Sequence, residues 1–213
     1  MNSDVGIVLR ELVAIPAMHG FRIDGNGAFT SLPPDANDVG IFLQAMPWST
    51  GHDEVIVAYG VRSQRLRRFD AKAFGMPSGG SPRLGLLHYE RSLGWLLGQE
   101  EPRFSGAPQE VAGQIRPLIE THVILDLQAH ASDAAIADAM LAHEPLTTLT
   151  RNDVMRLAWL LREIGNKGRL PEVEAILDAA PRELSSDEER RLIADVTADI
   201  ERAISEPDFR PEN

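Results

Sequence analysis

The sequence predicts an α+β fold, with an N-terminal helix and a mainly antiparallel sheet within residues 1–105 and an all-helical acidic region within residues 106–213. Three observations carry this reading. Apolar residues recur at helical spacing at the start of the chain, alternate in two branched and aromatic runs before residue 62, and return to helical spacing from residue 108 onward. Residues 1–105 are read as the sheet domain, and residues 106–213 as a helical region packed on it or continuing it.

Val5, Val8, Leu9, Leu12 and Val13 predict an amphipathic helix over residues 4–15, with Ser3 or Asp4 as its cap and Pro16 as its stop. Residues 21–23 and 28–30 predict a hairpin around Asp24-Gly25-Asn26-Gly27. The two strongest strands are 38–46 and 54–61. They are bounded by Pro33-Pro34 and by Ser49-Thr50-Gly51, and their short connection favours antiparallel pairing. Residues 84–89 predict a further strand, whereas 93–97 fit strand or helix, since a short apolar run does not separate the two. Helices are then expected over 108–130, 133–143, 151–165, 171–179 and 186–204, punctuated by Ser132, Pro145, residues 165–168, Pro171, Pro181 and Ser185-Ser186. Ser186-Asp187-Glu188-Glu189 supplies a capping box for the last of them.

With 43% hydrophobic and 25% charged residues, the composition is that of a folded protein. The absence of cysteine removes disulfides, thiolate metal sites and thiol nucleophiles together. Residues 1–18 lack a basic leader, and Arg10 and Glu11 interrupt their apolar residues. Neither a signal peptide nor a membrane span fits, so a cytoplasmic location without membrane association is expected. The net charge of −11 argues against nucleic-acid binding, which needs a surplus of lysine and arginine on some face. The charge is unevenly placed. Residues 1–105 hold 11 acids against 10 lysines and arginines, whereas residues 106–213 hold 21 against 11.

No catalytic or cofactor motif survives inspection. His143-Glu144 lacks the second histidine of a zincin, because position 147 is Thr147. Ser78, in Gly75-Met76-Pro77-Ser78-Gly79, fails the nucleophile-elbow pattern, and the same loop lacks the ending of a phosphate-binding loop. No catalytic residue and no cofactor are therefore assigned. His122, Asp126 and His130 lie four residues apart on one expected helix face, a spacing that can offer metal ligands. On the same wheel His122 falls among Ile115, Leu118, Leu125 and Ala129, which makes a buried or interface histidine the plainer reading, and no metal is assigned.

Four residues stand out as binding candidates: Gln44 within an apolar strand, Arg83 after the Gly/Pro loop, Trp95 and His122. Trp95 is either an interface anchor or a core residue, and Gln44 either a buried amide or part of an exposed sheet face. The basic run 62–72 either binds an anion or neutralises acids within the fold.

Residues about 5–100 resemble the family called domain of unknown function 4304, a bacterial α+β domain. The matching elements are Gly20-Phe21 with Phe29, the strand Ile41-Phe42-Leu43-Gln44, the strand 55–59 ending in Gly60-Val61, then Arg83-Leu84-Gly85 and Trp95. The pattern departs at Thr30, where the family leads one to expect arginine. The resemblance implies a fold but supplies no reaction. By analogy with small acidic immunity proteins, the expected role is a non-enzymatic module that binds a basic protein partner through acidic helical surface. Two other readings stand beside it: an enzyme or ligand-binding protein with a site between sheet and helices, and a homo-oligomeric scaffold with an exposed apolar stripe on residues 151–180.

Overall fold

The structure, a computed structural model, describes residues 3–23, 28–31, 37–46, 54–76, 80, 82–142, 151–179, 198 and 202. The fold is α+β, with an N-terminal helix and a five-stranded antiparallel sheet. Its contacts separate the chain into two compact units, Met1–Arg62 with Ser81–Ser132, and Ser63–Gly80 with Asp133–Asn213.

The first unit opens with helix α1 (Ser3–Val13), whose Val5, Val8, Leu9 and Leu12 are buried at the predicted spacing. Strands β1 (Arg22–Ile23), β2 (Ala28–Ser31), β3 (Asp38–Met46), β4 (Glu54–Arg62) and β5 (Tyr89–Ser92) pair in chain order. The strand expected at 84–89 is thus displaced to 89–92, and residues 93–97 form a short helix, α3 (Leu93–Leu97). Ser92 ends β5 and caps α3 by accepting a hydrogen bond from the Trp95 amide at 3.3 Å, so strand hands over to helix without a linker. Beyond α3, Phe104 returns to bridge Val55 on β4.

Register fixes what lies on each sheet face. Ile23, Phe29, Ile41, Tyr59 and Arg91 form one cross-strand row, and Val39, Val61 and Tyr89 lie in the next row of the same face. Helix α1 packs against β3 and against α4 (Pro108–Leu118), while α5 (Ile124–Ala129) packs against β4. The opposite face carries Thr30, Gly40, Gly60 and Glu90 in one row. Here Asp38 and Arg62, opposite each other, form a buried ion pair with an Nε to Oδ2 distance of 2.9 Å.

Between α4 and α5 the helix widens into a π turn over residues 119–123. Pro117 lies just before it and has no amide hydrogen for the regular ladder. Thr121 Oγ1 donates to the Pro117 carbonyl at 2.6 Å. Buried Ile115, Ile119, Val123 and Leu127 recur every four residues, a spacing that drifts by about 40° per step on a regular α-helix. The wider turn takes up that drift. Of the two expectations for His122, buried or interface, the wider turn corrects the first: His122 and Leu125 are both exposed because the buried line runs through Ile119 and Val123 instead.

The second unit is helical. Helix α2 (Gln64–Ala73) occupies the basic run and buries Leu66, Phe69, Asp70 and Ala73. It packs on α7 (Arg151–Glu163), which also meets α6 (Asp133–Leu141) and α8 (Leu170–Ala179). The apolar side chains Val154, Met155, Leu157, Ala158, Leu160 and Leu161 of α7 are buried, and Phe69 stacks on Trp159 at 5.2 Å. The helix expected at 186–204, the loop with Ser78 and the turn 24–27 lie outside the described residues. Among the described residues, no helix is long and apolar enough to cross a membrane.

The two sheet glycines make a quantitative test of this packing. A Cβ on Gly60 would sit 2.0 Å from the Tyr89 carbonyl oxygen, a backbone atom held by the β4–β5 ladder, whereas one on Gly40 would meet only the Phe42 ring, at 2.7 Å. Gly60→Ala is expected to destabilise the protein by about 3 kcal/mol or more and Gly40→Ala by about 1–2 kcal/mol; urea unfolding of the two variants measures the difference.

Candidate functional site

The polar centre of the first unit is the carboxylate of Asp126 on α5. Tyr89 Oη donates to Asp126 Oδ2 at 2.8 Å, Arg91 Nη1 lies 3.6 Å from Oδ1, and His130 Nδ1 lies 3.3 Å from Oδ1. Sheet alternation puts Tyr89 and Arg91 on the helix-covered face, and a single turn of α5 puts Asp126 and His130 side by side. His130 Nδ1 also lies 2.9 Å from the Asp126 carbonyl oxygen. Both neighbours are acceptors, so Nδ1 carries the hydrogen, and in the neutral ring Nε2 is the acceptor. The chain end of α5 is fixed by Asn37 Nδ2, which donates to the Ala131 carbonyl at 3.0 Å.

Planar groups stack around this carboxylate. His130 lies on the Tyr89 ring at 4.1 Å and 13°, and the Arg91 guanidinium lies 4.6 Å from the Tyr89 centroid and 3.4 Å from that of Trp95. The Arg91 side chain is 4% exposed, while Trp95 is 44% exposed. The buried cation therefore holds an aromatic ring whose remaining surface is accessible, an arrangement favoured by the ring quadrupole. Gly98, at φ +64°, ends α3, with its amide bonded to the Trp95 carbonyl, so the ring is fixed from both ends of a five-residue helix.

Tyr59 Oη is enclosed and makes no hydrogen bond of ordinary geometry, although the Asp126 carboxylate acts on it electrostatically. Burial first, and Asp126 second, push the Tyr59 and Tyr89 phenols far above the usual tyrosine range. Both phenols are therefore neutral hydrogen-bonding groups under ordinary conditions.

Of the four binding candidates, the fold brings the elements of two together: α3, which carries Trp95, packs against the π turn that carries His122. Gln44 is exposed on the sheet face opposite to that of Tyr59, and Arg83 is exposed in the loop before β5. Of the trio His122, Asp126 and His130, only the last two meet. Among the described residues no group of three histidines or acids is arranged to hold a metal ion. Sequence reasoning missed Arg91. Its signal is a charged residue on the buried parity of a strand, two places after Tyr89.

In the second unit the arginines organise the carboxylates. Arg156 bonds Asp70 at 2.8 Å and Asp153 at 2.9 Å; Arg65 contacts Asp133 at 2.9 Å and Glu163 at 3.8 Å; Arg169 contacts Asp138 and, at 2.8 Å, Glu172. Hydrogen bonding from Arg169 holds the Glu172 carboxyl below its usual range. Ser63 Oγ accepts from the Leu66 amide at 3.1 Å and donates to Asp133 at 2.6 Å, tying the cap of α2 to the start of α6. Part of the basic run thus neutralises acids within the fold. No protein-family model matches the chain, and neither a curated protein nor a solved structure matches it.

The Asp126 centre yields two expectations. Tyr59 and Tyr89 are the only tyrosines in the chain, so no tyrosinate absorbance should develop while the protein is folded. Their raised pKa means that stability is fully present below about pH 10 and falls above it, as the unfolded chain loses phenolic protons that the folded chain keeps. The loss is up to about 1.4 kcal/mol per pH unit per phenol. Urea midpoints measured from about pH 8 to 11 should fall accordingly, with roughly half the slope in Tyr59→Phe. Asp126→Ala leaves the buried Arg91 cation without its carboxylate and should cost about 3–5 kcal/mol. Arg91→Met added to Asp126→Asn should cost less than the sum of the single changes in a double-mutant cycle.

Proposed function

We propose that this chain is a non-enzymatic protein-binding module, immunity-like in character, that presents acidic helical surface to a basic protein partner. The observation that carries the reading is the uneven charge: of the net −11, residues 106–213, with 21 acids against 11 lysines and arginines, hold nearly all. Arg65, Arg156 and Arg169, each in contact with two carboxylates, order part of the acids of the second unit. Glu163 and Glu172 are exposed there, and in the first unit Glu110 and Glu120 are exposed on its helices. Such a field speeds encounter with a cationic partner and disfavours anionic ones. The resemblance of residues about 5–100 to domain of unknown function 4304 is compatible with this role. The competing reading, an enzyme or ligand-binding protein with a site between sheet and helices that draws on Gln44, Arg83 and His122, gains no support from their places, since all three are exposed and Gln44 lies on the sheet face opposite to that of Tyr59.

Immobilised full chain exposed to extract of the source organism should retain a basic protein in stoichiometric amount at about 50 mM salt and release it by about 300 mM, as screening shortens the reach of exposed charges. Glu163→Gln with Glu172→Gln and Glu120→Gln should weaken retention. Absence of a stoichiometric protein partner, or retention indifferent to salt, overturns the proposal.

A further inference from the structure

The exposed large apolar side chains among the described residues are Val13, Ile23, Trp95 at 44% and Leu125 at 60%. Two of these four come from segments linked in the first unit: α3, which carries Trp95, packs against the π turn, which runs directly into α5 with Leu125. Trp95 lies on the Arg91 guanidinium, Arg91 pairs with Asp126, and Leu125 precedes Asp126 on the same helix. The π turn causes the exposure of the helix side. By shifting the buried line to Ile119, Val123 and Leu127, it leaves Leu125, His122 and Ala129 outside.

Charge indicates what this face accepts. The segments that build it, 93–101 and 118–129, contain Glu100, Glu101, Glu120 and Asp126 and neither lysine nor arginine. Glu101 accepts from the Gly94 amide and Asp126 is held by Arg91, whereas Glu100 and Glu120 are exposed at the rim. Of the cations that flank these segments, Arg91 is buried on Asp126, Arg103 pairs with Glu54 at 3.3 Å and Arg116 is turned toward the Glu11 carbonyl on α1, at 3.4 Å. Exposed apolar side chains on segments whose acids are not matched by any lysine or arginine of their own complement a segment that carries both apolar and cationic side chains. A second copy of the chain would bring the same negative rim against itself.

From this geometry we infer that the face formed by α3 and residues 118–129 is the docking surface for a basic amphipathic segment of a partner protein, with Trp95 and Leu125 as apolar anchors and Glu100 and Glu120 as the charged rim. The inference rests on the proposed binding function and places its contact in the first unit. Trp95 suits the role of an anchor, because its orientation is set in advance by Arg91 and by the caps of α3, so little side-chain freedom remains to be lost on binding.

The test uses the full chain with indole nitrogen labelling and a synthetic fourteen-residue peptide of leucine and arginine, beside a matched peptide of leucine and glutamate. The Trp95 indole signal, identified by its loss in Trp95→Phe, is expected to shift saturably with the arginine peptide and not with the glutamate peptide. Raising salt should weaken the binding. Leu125→Gln and Trp95→Ala should each weaken it about tenfold or more, and Glu100→Gln with Glu120→Gln should reduce its salt dependence. Should Trp95→Ala fail to fold by circular dichroism, Leu125→Gln, at an exposed position, carries the anchor test alone. Binding of the arginine peptide with the Trp95 signal unmoved and Leu125→Gln without effect overturns this surface but leaves the basic-partner reading intact. Failure of the arginine peptide to bind counts against both readings, and equal binding of the two peptides overturns the charge argument.

Discussion

The first unit depends on one buried cation. The Arg91 side chain is 4% exposed, and a guanidinium so enclosed is tolerated only where a carboxylate and hydrogen-bond acceptors replace its water. Asp126 supplies that carboxylate from the last helix of the unit, so the position of α5 is set by a strand lying some thirty-five residues earlier. Arg91 in turn lies beside Tyr59 in the cross-strand row and beneath Trp95. The helix-covered face therefore changes character along its width: apolar where α1 and α4 meet, polar and aromatic at β5. Packing alone would let the helices slide on branched side chains, whereas a charged partner with fixed geometry removes that freedom.

The second unit solves the same problem differently. Burial by itself would lower the affinity of Arg156 for its proton, but the Asp70 and Asp153 carboxylates outweigh that effect and raise it. The guanidinium fork lets one side chain serve two helices, α2 through Asp70 and α7 through Asp153. In the sheet, Asp38 and Arg62 form a buried ion pair across β3 and β4. The same residue types thus fix structure in both units.

Period-two and helical spacing and the turn signals were enough to recover four of the five antiparallel strands, the opening helix and the helices between residues 108 and 179, because these signals are local. Three features were hidden for physical reasons. Helix α2 carries an apolar stripe at Leu66, Phe69 and Ala73, but five cations within 62–72 made the run read as a charged surface. The π turn follows from Pro117 and a four-residue burial interval, and an ideal wheel applied to the whole segment sends His122 and Leu125 to the wrong side. Arg91 and Asp126 are each ordinary in sequence, and only the pairing of β5 with β4 brings them to one place. For the candidate surface, Trp95 and His122 were legible singly. The meeting of their elements was not, since it depends on α3 being a helix that packs against residues 119–123.

In the proposed binding role, exposed acids and a fixed aromatic would divide the work of recognition by distance. Carboxylates act over about 10 Å at moderate salt and would govern how often a cationic partner arrives; Trp95 and Leu125 would act only at contact and govern how long it stays. That division explains why the aromatic should be rigid while the rim need not be. A rim of exposed glutamates can adjust to several arrangements of positive charge, but an anchor that had to be ordered on binding would lose part of its contact energy to that ordering. Arg91 performs the ordering within the fold, as a consequence of the same ion pair that seats α5 on the sheet. A change at Asp126 would accordingly disturb both the seating of the helix and the presentation of Trp95, whereas a change at Glu100 or Glu120 would leave the fold untouched and alter the encounter alone.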